Sequence, residues 1–67
     1  METAMKEIDR IRFVDEATGG GVNVSVYQRE DAMVLIDLQL PDKPAFVVSL
    51  PSDEAKRLAE AIVRAIP

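Results

Sequence analysis

The stretch Ala32-Met33-Val34-Leu35-Ile36-Asp37-Leu38-Gln39-Leu40 decides how the rest of the chain must be arranged. It is a short apolar run with turn-forming residues on both sides, which reads as a central strand rather than a helix. One face, Val34, Ile36, Leu38 and Leu40, is wholly aliphatic, while the other, Met33, Leu35, Asp37 and Gln39, is mixed. Such a strand needs neighbours on both edges and a cover over its aliphatic face.

Working back from it, Val22–Arg29 alternates cleanly, with Val22, Val24 and Val26 opposed to Asn23, Ser25, Tyr27 and Arg29. Register can be read from that alternation. A two-residue turn at Glu30-Asp31 would throw the two aliphatic faces to opposite sides. A three-residue loop, Glu30-Asp31-Ala32, pairs Val26 with Ile36 and Val24 with Leu38, and a one-residue slip would flip every side chain. Upstream, Lys6–Asp15 alternates more loosely, with Ile11 and Phe13 opposed to Arg10 and Arg12, and predicts a first strand after a frayed end over residues 1–5. Thr18-Gly19-Gly20-Gly21 breaks it. Setting Phe13 against Val24 brings Arg12 beside Ser25, and Ser25 beside Asp37.

Downstream, Pro41-Asp42-Lys43-Pro44 is a turn, and Ala45–Leu50 reads as a fourth strand with Phe46, Val48 and Leu50 inward. Ser52 looks like a helix N-cap, supported by Asp53 and Glu54 in the first turn. Ala55, Leu58, Ala59, Ile62, Val63 and Ile66 then form one apolar stripe, with Asp53–Arg57 and Glu60–Arg64 as i,i+4 pairs. The expectation is an α+β fold in one domain over residues 1–67. It is a four-stranded antiparallel meander with one C-terminal helix packed on its aliphatic face.

Composition limits the chemistry. The 67 residues carry no Cys and no His, which removes disulfides, Cys/His zinc sites and thiolate or imidazole mechanisms. A core this small contributes a net margin of only ~3–5 kcal/mol, so oligomerisation is the remaining staple. Twelve Asp and Glu against eight Lys and Arg argue against indiscriminate attraction to phosphate or anionic membranes. No leader-like segment or long apolar run is evident, and a soluble cytoplasmic protein without cofactor or metal is expected.

Catalysis has little to stand on. Asp53-Glu54 is accounted for by the helix dipole, and the Gly19–Gly21 run precedes a strand rather than the helix that phosphate loops require. Asp37 is a lone charge in the most apolar strand. It lies about 9.5 Å, two strand spacings, from Arg12, where a solvated cross-sheet ion pair is the ordinary reading. The open face nevertheless collects Arg10, Arg12, Tyr27 and Arg29, a combination that holds single-stranded nucleic acid by charge and stacking. Beside them Met33, Leu35 and Val47 form an apolar half, read as an oligomer contact.

The run Val24-Ser25-Val26, a short loop, Val34-Leu35-Ile36-Asp37-Leu38, a turn, and Val48-Ser49-Leu50 leading into Pro51-Ser52-Asp53-Glu54 resembles a known pattern. It is similar to the single-stranded-DNA-binding domain of the transcriptional positive-cofactor (coactivator) family, over about Val24 to Ile66. The resemblance implies a dimeric ββββα fold, a part in transcription regulation, and DNA contacts from basic and aromatic strand residues, here Tyr27 and Arg29 in the second strand. The leading expectation is a non-enzymatic homodimer binding single-stranded nucleic acid through its open face. The alternative is a protein–protein interaction module docking a partner chain on that face or on an edge strand.

Overall fold

The alternating segment and the apolar run after it form the middle of an antiparallel sheet in the computed structural model, which describes residues 4–67. Strands β1 (Met5–Val14), β2 (Gly21–Arg29), β3 (Met33–Gln39) and β4 (Phe46–Pro51) lie side by side in chain order, and helix α1 (Ser52–Ala65) follows. This is the ββββα order the sequence predicts. Of the end expected to fray, residues 1–3 lie outside the described part, while Met5 opens β1 opposite Arg29.

The β2–β3 register is the predicted one: Val26 faces Ile36, Val24 faces Leu38, Ser25 faces Asp37 and Tyr27 faces Leu35. Glu30, Asp31 and Ala32 make the three-residue loop, and Ala32 takes φ +62°, the left-handed position that closes such loops. The mixed face of β3 therefore shares a side with Asn23, Ser25 and Tyr27.

The β1–β2 register differs from the expectation by two residues. Phe13 lies opposite Val22 rather than Val24, Ile11 opposite Val24, Arg12 opposite Asn23 and Arg10 opposite Ser25. The turn is centred before the glycines, not on them. Asp15 organises it: its carbonyl accepts from Gly19 N–H at 2.7 Å, its N–H donates to the Gly20 carbonyl at 2.9 Å, and its carboxylate accepts from Ala17 N–H and the Thr18 hydroxyl. A two-residue shift preserves the side on which every residue lies, so the faces survive the correction. Toward its start β1 also carries a bulge between Glu7 and Asp9, which changes the parity and puts Glu7 on the same face as Arg10 and Arg12.

Strand β4 runs into α1 with no intervening residue, and that junction controls the other outcome. Pro51 occupies the N-cap position without a side-chain cap, so Ser52 is the first helical residue and not the cap expected. Its hydroxyl instead donates to the Ala32 carbonyl at 2.6 Å, with its N–H at 3.2 Å, tying the helix start to the β2–β3 loop. The predicted helical ion pairs are replaced by an i,i+3 pair, Arg57 to Glu54 at 3.5 Å.

Without a linker to fold it back, α1 reaches only β4 and β3, and none of its residues is buried. Within one chain the helix lies against the β3–β4 half of the sheet and leaves the β1–β2 half without cover. Among the described residues only Val22 and Ser25 are buried. Phe46 is 62% exposed and Val63 68%. The radius of gyration, 13.3 Å, exceeds the ~11 Å of a compact 67-residue chain. Among the described residues no helix is long and apolar enough to cross a membrane.

Candidate nucleic-acid interface

The open face is built in rows across the sheet, because residues directly opposite on paired strands share a side. Arg10, Ser25, Asp37 and Val47 make one row; Arg12, Asn23 and Gln39 make the next; Glu7, Tyr27, Leu35 and Ser49 make the third. The first two rows and Tyr27 enclose a shallow concavity of about 450 Å³, lined by Arg10, Arg12, Asn23, Ser25, Tyr27, Asp37 and Gln39. Three of the four residues singled out from the sequence, Arg10, Arg12 and Tyr27, thus meet in one place.

Arg29 does not join them. It lines a second hollow at the far end of β2, of about 590 Å³, together with Lys6, Gln28, Glu30 and Ser52. Its guanidinium is held by the Asp31 carboxylate, and its Nε is buried without a hydrogen-bond partner. Arg10 is engaged as well, through Nε to Glu7 Oε1 at 3.1 Å, but this pair is exposed and worth well under ~1 kcal/mol. Arg12 makes no ion pair among the described residues, and its charge is available to an incoming anion.

The cross-sheet pair expected between Arg12 and Asp37 is absent, because the corrected register makes Arg10 the nearer arginine. Asp37 keeps Oδ1 out of solvent and without a hydrogen-bond partner among the described residues. Ser25, opposite it on β2, is buried.

Met33 and Leu35 are half-buried on this same face, whereas Val47 is exposed. Leu35 sits directly opposite Tyr27, which gives the aromatic ring an apolar neighbour across the strands. Two lining residues were not singled out beforehand, Asn23, which lies opposite Arg12, and Gln39, one strand further along the same row. The β2–β3 alternation already put both on the open side; only the β1 register was needed to bring their row into line with Arg12.

Chemically the concavity offers two guanidinium groups for phosphate oxygens, one phenol ring for stacking, and two carboxamides able to bond base edges. Among the described residues no group of Asp and Glu side chains is placed to hold a metal ion. No protein-family model, curated protein or solved structure matches the chain.

Proposed function

We propose that this protein is a non-enzymatic, homodimeric binding domain that engages single-stranded nucleic acid through the open face of its sheet. The observation that supports this best is the meeting of Arg10, Arg12 and Tyr27 in one concavity with Asn23 and Gln39. Backbone charge neutralisation and base stacking are the two terms by which single strands are held, and both have their groups here. Arg29 contributes at the margin, since Asp31 already holds it. Met33, Leu35 and Val47 extend the face as an apolar floor beside Tyr27 on which bases rest.

The acidic net charge of −4 fits weak, local binding rather than a broad electrostatic grip. The likeness to the positive-cofactor family supports the same ligand and a part in transcription regulation. Fluorescence anisotropy with a labelled single-stranded oligonucleotide at low salt tests the reading. Binding at tens of micromolar or tighter is expected, with log K falling against log salt with a slope near −1.4 for about two neutralised phosphates. Removing Arg12 by Arg12→Ala flattens that slope by about 0.7. Absence of binding, or binding indifferent to salt, refutes the proposal.

A further inference from the structure

We infer that a second copy of this chain covers the aliphatic side of the sheet together with the apolar stripe of α1, so that the dimer interface lies on the side away from the arginines. This rests on the dimeric part of the reading above, and not on its nucleic-acid part.

Two surfaces of one molecule are unfinished in complementary ways. The sheet presents Ile11, Phe13 and Phe46 on its aliphatic side, each about half exposed or more, with no helix over the β1–β2 half. The helix presents Ile62 and Val63, 55% and 68% exposed, with no sheet beneath them. Each surface is the kind the other lacks. Two copies related by a two-fold axis satisfy both at once, because an isologous interface repeats every contact reciprocally.

Area decides between this and ordinary surface hydrophobics. The chain exposes 5598 Å², whereas a compact monomer of its mass, 7.4 kDa, exposes ~4,200 Å². The excess of ~1,400 Å² per copy is above the ~800 Å² each partner buries in a standard interface, and falls within the obligate-dimer range. That surface includes six large apolar side chains left 44% exposed or more on the sheet edges and on the helix with its C-cap, Ile11, Phe46, Leu58, Ile62, Val63 and Ile66, more than a small soluble monomer ordinarily leaves uncovered. On the opposite face Met33 and Leu35 are already half-buried, and of the three residues read as an oligomer contact Val47 alone is exposed.

Such a dimer leaves both open faces outward, each with its own Arg10, Arg12 and Tyr27. Association and folding are then one event, since neither copy has a closed core alone. The Ser52–Ala32 tie fixes where each helix leaves its sheet, and so fixes the angle at which it meets the second copy.

Light scattering after size exclusion at about 10 μM is expected to give twice the chain mass, and a ~100-fold dilution is expected to lower the melting temperature by several degrees, as coupled association requires. Ile62→Glu is expected to lose the dimer, as a monomer or as an unfolded chain, whereas Leu35→Asp on the opposite face is expected to keep it. A monomeric wild type with a concentration-independent melt overturns the inference, as does a dimer that survives Ile62→Glu or dissociates with Leu35→Asp. Oligonucleotide binding measured on the same preparations separates the two proposals. A dimer that binds no oligonucleotide defeats the function alone, and a monomer that binds it defeats the interface alone.

Discussion

Alanine at each of the three consecutive glycines, Gly19, Gly20 and Gly21, gives a different outcome. A Cβ at Gly20 would stand 2.9 Å from Pro41 Cγ and 3.5 Å from both Pro41 Cδ and the Thr18 hydroxyl oxygen. Carbon atoms rest at about 3.5–4.0 Å, so the overlap with the proline ring is more than half an ångström. The ring cannot swing aside, and the β1–β2 loop must part from the β3–β4 turn. Overpacking of this kind costs about 1–3 kcal/mol, which in a domain of this size lowers the melting temperature by roughly 5–20 °C.

Gly19 is different. Space around it is open, but its φ of +75° is left-handed, so Gly19→Ala costs about 1–2 kcal/mol from backbone strain alone. Gly21 has neither restriction, and Gly21→Ala is expected to be neutral or to stabilise by about 0.4–1 kcal/mol through the unfolded chain. Urea unfolding followed by circular dichroism, with protein concentration held fixed, measures all three. The reasoning is refuted if Gly20→Ala is as stable as wild type, or if Gly21→Ala is as damaging as Gly20→Ala.

Tyr27→Ala is expected to weaken oligonucleotide binding by about 1–3 kcal/mol, the worth of one stacked base, while leaving the salt slope unchanged; an anisotropy titration reads both. Asp37→Asn removes the one acidic side chain lining the concavity, and because Asp37 Oδ1 is out of solvent the gain in affinity in the same titration is expected to be at least about twofold, the ~0.5 kcal/mol of a charge at ~8 Å in water being the lower bound. Ser52→Ala deletes the hydroxyl bond to the Ala32 carbonyl but keeps the amide bond, so a loss of about 0.5–1 kcal/mol is expected in the urea midpoint.

What could be read in advance follows from where the physical signal is local. The β2–β3 pairing was legible because both strands alternate strictly and the wrong loop length would have put Val24 and Leu38 on opposite faces. The β1 pairing was not, because the loop is set by the Asp15 carboxylate and backbone rather than by the glycines that announce it, and because the bulge after Glu7 interrupts the alternation. The same shift moved Arg10 to the place expected of Arg12, while leaving both on the predicted face. The helix was legible from its stripe, but its partner was not. An apolar stripe shows that something must cover it, and only the contacts of α1, confined to β3 and β4 with no helix residue buried, show that its own sheet covers it in part. Arg29 was grouped with the other arginines by face alone, and its capture by Asp31 depends on the conformation of the loop.

The claim everything else serves is that the arginine-bearing side of the sheet meets the ligand. Backbone amide shifts followed by NMR as unlabelled single-stranded oligonucleotide is added test it most directly. The account predicts shifts concentrated at Arg10, Arg12, Asn23, Ser25 and Tyr27, with α1 from Leu58 to Val63 unmoved. Shifts confined to the helix and to Phe13 and Phe46, or no shifts at saturating oligonucleotide, would contradict it.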